Sequence, residues 1–290
     1  MTASLTPLSL KRLLTDAQAK LAGVSGSPRL EAEVLLAHAL EQSRSYLYSW
    51  PERILDSQQI CRFAEGLARR LAGEPIPYIT GQREFWSLDL VITPATLIPR
   101  PETEQLVQLA LDRLPPESAL RIADLGTGSG AIALAIAHER PLAEVLATDI
   151  SADALRVAAG NSRRLGIRNV EFRQGDWYAC LQAEQFDLIV SNPPYLAATD
   201  AHLERGDLRF EPRLALIASP DGLQAIRTLI DQAQEHLYPG GWLLLEHGYD
   251  QGKSVPALLR SRSFVEVTDH RDVAGIPRVS LGRKRPVPVR

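Results

Sequence analysis

The sequence predicts an α/β chain in which a doubly wound, mostly parallel sheet follows a small helical bundle. Three observations predict it. From Arg121 onward, short apolar runs alternate with amphipathic stretches, the pattern of a parallel sheet covered on both faces. Before Gly73 the apolar positions recur only at helical spacing. Between the two patterns lies a breaker cluster, Gly73 to Pro77.

Within residues 1–74, Leu10, Leu13, Leu14, Ala17 and Leu21 share one helical face, and Ala32, Leu35, Leu36, Ala39 and Leu40 share another. A third run holds Ile60, Phe63, Ala64, Leu67, Ala68 and Leu71, with breaks at Gly23 to Pro28 and near Pro51. Acidic and basic residues nearly balance here, so the segment reads as a separate helical module and not a polycation. Residues 75–100 read as a linker: Phe85, Leu88, Leu90 and Ile92 alternate as in a strand or hairpin, and Pro99 and Pro101 impose extended backbone. Glu102 to Leu114 continues as an amphipathic helix.

Residues 101–290 form the α/β domain. Its strands are placed at Arg121–Leu125, Glu144–Asp149, Val170–Gln174, Phe186–Ser191, Gly241–Glu246, Phe264–Thr268 and Arg278–Leu281. Its helices are placed at Gly130–Glu139, Ala152–Leu165, Leu223–His236 and Gly252–Arg260. The basic, proline-rich stretch from Arg283 to Arg290 reads as a solvated tail.

Composition excludes several classes of function. Hydrophobic residues make up 45% and charged residues 23% of the 290, ordinary values for a globular chain, so no domain-sized disorder is expected. A formal net charge of -3 gives no overall basic field for nucleic acid. Cys61 and Cys180 are far apart, which excludes a disulfide scaffold and suits a reducing compartment. The six histidines show no metal-ligand spacing with one another or with cysteine, so no metal is expected. Neither a signal core nor a run long enough to span a membrane is present, and the chain reads as cytoplasmic.

Asp124-Leu125-Gly126-Thr127-Gly128-Ser129-Gly130 links the first strand to a helix. Glycines there let backbone approach a ligand seated over the strand end, near the helix N-terminus. Gly126, Gly128 and Ala131 also satisfy a dinucleotide fingerprint, so the loop alone leaves the ligand open. Asp149 ends the second strand, where a carboxylate can accept from ribose hydroxyls or cap the next helix, although Ser151 is the better-placed cap. After the third strand, Asp176 can accept from an adenine amino group and Trp177 can cover the ring, or Trp177 can simply pack on the sheet edge. Asp124, just before the glycines, suits the cationic end of S-adenosyl-L-methionine and would repel a pyrophosphate.

Ser191-Asn192-Pro193-Pro194-Tyr195 follows the fourth strand. The prolines stiffen the loop, while the Asn192 side-chain carbonyl and the Pro193 carbonyl can accept both hydrogens of a planar NH2 group. An amide nitrogen shares its lone pair with its carbonyl and is a poor nucleophile. Two rigid acceptors can turn that lone pair toward a methyl donor, and Tyr195 can stack on the planar group and exclude water. Positioning is then the main task of the protein.

The Asn192–Tyr195 motif resembles that of amino methyltransferases acting on adenine, glutamine and guanine. The stretch Glu84-Phe85-Trp86 through Leu97-Ile98-Pro99-Arg100-Pro101-Glu102-Thr103-Glu104 is more selective and resembles the peptide chain release factor N5-glutamine methyltransferases, the HemK/PrmC family. Arg209-Phe210-Glu211-Pro212 and Glu246-His247-Gly248 resemble later segments of that family. The resemblance implies a seven-stranded class I methyltransferase fold with a helical substrate-recognition domain at residues 1–74 and a hairpin linker. It implies S-adenosyl-L-methionine contacts at Gly126, Thr127, Gly128, Ser129, Gly130, Asp149, Trp177 and Asn192. It further implies that Asn192, Pro193, Pro194 and Tyr195 hold the substrate, with catalysis resting on Asn192, Pro193 and Tyr195. The implied substrate is the glutamine of a Gly-Gly-Gln loop in class I peptide chain release factors. The chain departs from the family at Trp86-Ser87, where Tyr-Gly is more usual.

Three rival readings remain at this level. A DNA adenine N6-methyltransferase shares the glycine loop and Asn192–Tyr195 but needs a basic target-recognition domain. A nucleotide-binding oxidoreductase is disfavoured by Asp124 and by Asn-Pro-Pro-Tyr. A catalytically inert protein-binding adaptor is the third.

Overall fold

The computed structural model describes residues 9–204, 206–218 and 220–287. The chain divides into two units: one runs to Gly81 and also takes residues 205–210, and the other comprises residues 82–204 and 211–290.

The first unit consists of α1 (Leu10–Leu21), α2 (Pro28–Leu40), α3 (Arg44–Ser49), α4 (Ser57–Leu71) and α5 (Ile76–Thr80). Helices α1 and α2 bury the apolar faces read from the sequence, whereas in α4 Phe63 and Leu67 are buried and Ala64, Ala68 and Leu71 are exposed. Leu10, Leu21, Leu35, Leu36, Phe63 and Leu67 lie in one core. A capping box starts α4: Asp56 accepts from the Gln59 backbone N–H at 2.8 Å, and Gln59 accepts from that of Asp56 at 3.3 Å. Residues 205–210 join this unit through Asp207, which accepts from Arg70 at 3.3 Å, and Arg209, which donates to the Ala72 carbonyl at 3.2 Å. The helical unit thus continues through the Gly73–Pro77 cluster and ends after α5.

The second unit opens with a hairpin, β1 (Gln82–Phe85) and β2 (Leu88–Val91). Trp86 and Ser87 close it with φ of 52° and 58°. Paired left-handed residues match a turn to the strand twist, which is why glycine is favoured at the second position. Asn161 anchors the hairpin: its side chain accepts from Val91 N–H at 2.8 Å and donates to the Val91 and Ser129 carbonyls at 3.0 Å. A 3-10 turn, Pro101–Thr103, then leads into α6 (Glu104–Leu111), which stops short of the expected Leu114.

The main sheet has seven strands in the order β5-β4-β3-β6-β7-β9-β8. They are β3 (Arg121–Leu125), β4 (Glu144–Asp149), β5 (Val170–Gln174), β6 (Phe186–Ser191), β7 (Leu237–Glu246), β8 (Val265–Arg271) and β9 (Pro277–Arg283). The first five in that order run parallel, and β9 is antiparallel to β7 and β8. Ile122, Leu146, Leu188, Ile189 and Leu243 to Leu245 are buried, as strands covered on both faces require. The covering helices are α6, α7 (Ala131–Glu139), α8 (Ala152–Leu165), α10 (Gln224–His236) and α11 (Ser254–Ser261), with a short α9 (Arg213–Leu216) before α10. Arg283 closes β9 and does not begin the tail, because it pairs with Trp242 and its side chain donates to Gly240. The last tail residues, 288–290, lie outside the described residues, as do residues 1–8 of the helical module.

Candidate active site

The strand order reverses between β3 and β6, and parallel sheets bind ligands at the carboxyl ends of strands beside such a point. A cavity of about 380 Å³ lies there, within the roughly 300–1,000 Å³ range of small-molecule sites. Gly126, Thr127, Ser129, Asp149, Trp177, Asn192 and Pro194 line it. Gly128, Gly130, Pro193 and Tyr195 belong to the same loops but not to the lining.

The glycine loop is held from below. Gly126 and Thr127 both donate backbone N–H to the Thr148 carbonyl, at 2.9 and 2.8 Å. Gly126 has φ 80°, and a Cβ there would stand 3.3 Å from the Trp177 ring, so glycine admits both the turn and the indole. Gly130 has φ 86° at the N-cap of α7, where a Cβ would press on Leu134 and Ala158. Asp149 accepts from Gly128 N–H and Ser151 N–H, each at 2.9 Å. Burial raises its carboxyl above the ordinary range and these N–H donors oppose the shift. Ser151 caps α8 by accepting from Ala154 N–H at 3.2 Å.

Asp124 departs from expectation. Its side chain is fully buried and lies outside the cavity lining, because it serves as the internal brace of the loop. Oδ2 accepts from the Thr127 hydroxyl at 2.6 Å and from Ala133 N–H at 3.2 Å, while Oδ1 has no partner. Burial pushes its carboxyl up to about 7. The Asp149 carboxylate lines the cavity and makes it hostile to a pyrophosphate and hospitable to a cation.

Asn192 leaves β6 at the mouth of the cavity. Its Nδ2 donates to the Thr103 hydroxyl at 3.3 Å. That leaves the Oδ1 acceptor free for a ligand. Gln251 fixes the following loop by donating to the carbonyls of Tyr195 and Gly222, at 3.3 and 3.2 Å. Tyr195 packs against the sheet core, and burial raises its phenol so that it stays protonated. The opposite wall comes from Ala95, Leu97 and Pro99 of the linker and from Pro212, Leu214, Ala215 and Ile217. Arg100 and Glu211 form an ion pair between these two wall segments.

Sequence reasoning did not single out Thr103, Glu246, Asn161 or the Arg100–Glu211 pair as parts of the site. The one available signal was an acid ending the apolar run Leu243-Leu244-Leu245-Glu246. Glu246 is 2% exposed, stands beside Thr103 and Asn192, and is pushed up to about 7 by burial. Next to it, His247 is also buried, with Nε2 3.0 Å from Asp269 and 2.9 Å from Ser280. Both contacts fall on one ring nitrogen, whereas a nucleophilic triad needs them on opposite nitrogens, so this cluster joins β7 to β8 and β9. Among the described residues no group of three or more His, Cys, Asp or Glu is placed to hold a metal, and no helix is long and apolar enough to cross a membrane.

Comparison with known proteins bears on what the cavity serves. Residues 12–81 match the family described as PrmC N-terminal domain, and residues 102–207 match Methyltransferase small domain. A release factor glutamine methyltransferase from Coxiella burnetii is 48% identical over 96% of this chain and 99% of its own. One from Xylella fastidiosa is 53% identical over 88% of this chain and 93% of its own. Among solved structures, a methyltransferase from Pyrococcus furiosus shares the fold at TM-score 0.53, with 19% identity, covering 77% of this chain and all of that one.

Proposed function

The chain belongs to the release factor glutamine methyltransferases, and on that premise we propose how its residues divide the work. The enzyme transfers a methyl group to the side-chain amide nitrogen (N5) of a release factor glutamine. The cofactor is S-adenosyl-L-methionine, and the residues present fit it. Asp149 would meet the ribose hydroxyls, Trp177 would cover the adenine, the Gly126–Gly130 loop would hold the methionine end, and Asn192 would stand toward the transferred methyl. The Asp149 carboxylate suits a cationic ligand, and Ile132, Ile150 and Trp177 supply apolar walls. When bound, this cofactor supplies an electrophilic methyl on a sulfonium.

The protein's own contribution is orientation. Asn192 Oδ1 and the Pro193 carbonyl accept the two amide hydrogens and turn the nitrogen lone pair toward the methyl. Pro193 and Pro194 have no N–H with which to compete for those acceptors. Tyr195 remains neutral, excludes water and adds no charge beside a cationic cofactor. The observation that carries this reading is the Asn192–Thr103 hydrogen bond, which leaves Oδ1 as the atom offered to the substrate.

The substrate we propose is the Gly-Gly-Gln glutamine of class I release factors, met in the cytoplasm, with the helical unit recognising the folded factor. Mass spectrometry of release factors incubated with enzyme and labelled S-adenosyl-L-methionine tests this: one methyl is expected on that glutamine. Label on DNA adenine and none on release factor would overturn it.

A further inference from the structure

Glu246 has no place in the mechanism above, yet it is a buried acid with no ion-pair partner among the described residues. It ends β7, and Asn192 follows the end of β6. Ser191 and Leu245 are register partners, so the two side chains leave adjacent parallel strands side by side. Thr103, from the 3-10 turn, stands at both. Glu246 Oε2 has no hydrogen-bond partner, an expensive state for a buried carboxylate unless a function requires its charge.

The three groups have an enforced polarity. An ionised carboxylate only accepts, so the Thr103 hydroxyl must spend its proton on Glu246. The Thr103 oxygen is then left as an acceptor, and only the NH2 end of Asn192 can satisfy it. With both NH2 hydrogens drawn toward Thr103 and Glu246, the Asn192 amide cannot flip, and Oδ1 must face the cavity. We propose that Glu246 is the positioning residue that fixes the flip of Asn192, and so decides that the site presents an acceptor to the substrate amide. A neutral partner at 246 would free Thr103 to donate to Asn192, and a flipped Asn192 would offer NH2 to a substrate that is itself NH2. This inference rests on the assignment of Asn192 as the amide acceptor.

Proton state gives a signature that a merely structural role lacks. Burial pushes the Glu246 carboxyl up to about 7, with Thr103, Asn192 and the Arg278 charge on β9 opposing and the Glu102 charge on the 3-10 turn reinforcing the shift. Tyr195, the remaining titratable group facing it, stays protonated throughout. Protonated Glu246 can donate to Thr103, so the enforced polarity is lost as pH falls through that value.

The test compares kcat, KM and cofactor Kd in Glu246→Gln, Thr103→Val, Thr103→Ser and Asn192→Ala, each checked by thermal melting. Glu246→Gln should lower kcat on the order of 10²-fold, as loss of a preorganised polar contact does. It should leave cofactor Kd unchanged and abolish the fall of kcat at acid pH expected of the wild type. Thr103→Val should match it, Thr103→Ser should restore activity, and the Glu246→Gln/Thr103→Val pair should cost little more than either alone. Where Glu246→Gln does not fold, the Val and Ser substitutions at 103 decide alone. Glu246→Gln within twofold of wild-type kcat, alongside an inactive Asn192→Ala, would overturn the proposal and leave the amide-acceptor reading standing. A fully active Asn192→Ala would overturn that reading instead.

Discussion

The Thr127 hydroxyl donates to Asp124 at 2.6 Å, and this bond fastens the glycine loop to the strand it leaves. The same carboxylate receives Ala133 N–H from the first turn of α7, so one buried acid joins strand, loop and helix. Its other oxygen is unpartnered.

That imbalance predicts a pH effect on stability. Burial raises the Asp124 carboxyl from the ordinary value of about 3.9 to about 7 in the folded protein. Between those values the folded chain holds a proton that the unfolded chain has released, so this group's contribution to stability declines as pH rises through that window. Asp124→Asn removes the titration and keeps the shape. The melting temperature of Asp124→Asn minus that of wild type, by calorimetry from pH 5 to 8, should therefore increase with pH. A difference independent of pH would show that Asp124 does not titrate there.

The hairpin turn is strained where the family more usually has glycine. Ser87 at φ 58° is in the left-handed region, which costs a non-glycine residue on the order of 1–3 kcal/mol before the entropic penalty of glycine is set against it. Ser87→Gly should raise the melting temperature by a few degrees. Trp86→Ala should lower it, because the indole N–H donates to Glu139 at 2.9 Å. Thermal melting at fixed pH measures both.

Arg100 and Glu211 predict an asymmetric pair of substitutions. The Glu211 side chain is fully buried and that of Arg100 is 29% exposed. Arg100→Ala removes the Arg100 cation from a buried carboxylate and should destabilise more than Glu211→Gln, which removes the charge itself. Because Pro212, Leu214, Ala215 and Ile217 line the cavity, Arg100→Ala should also weaken S-adenosyl-L-methionine binding in calorimetry. Equal losses in the two variants would contradict a buried ion pair.

The sheet was legible in the sequence because short strand-like runs alternate with amphipathic stretches between sharp breakers, and Arg121–Leu125, Glu144–Asp149, Val170–Gln174 and Phe186–Ser191 fall where the pattern places them. Tyr238-Pro239-Gly240-Gly241 hid the start of β7, since proline and glycine read as a turn, whereas here they form an irregularity inside the strand, with Gly240 at φ 87° between the pairs Phe186–Leu237 and Leu188–Trp242. The glycine loop and Asn192 were legible because their chemistry is local. Glu246 and Thr103 were not, since an acid after three leucines acquires meaning only when β6 and β7 are neighbours. Asp124 was misplaced for a related reason: adjacency to the glycines fixed its position but not the side of the loop on which its carboxylate lies.

The last prediction separates acceptance from orientation at Asn192. Asn192→Ala removes the acceptor and should lower kcat about 10²–10³-fold, with a smaller loss of cofactor affinity. If acceptance alone mattered, Asn192→Asp would retain much of the activity, because a carboxylate accepts as well as an amide does. The structure argues otherwise. Nδ2 of Asn192 donates to Thr103 and faces Glu246, and an aspartate there has no hydrogen to donate. It would instead set a second carboxylate against a buried one, and like charges at such range hold one of the pair protonated. Asn192→Asp should therefore be as inactive as Asn192→Ala near neutral pH, and activity should not return at higher pH, where repulsion is greatest. Single-turnover methylation with saturating cofactor, from pH 6 to 9, measures this. Turnover in Asn192→Asp well above that of Asn192→Ala would show that the donor face of Asn192 is dispensable.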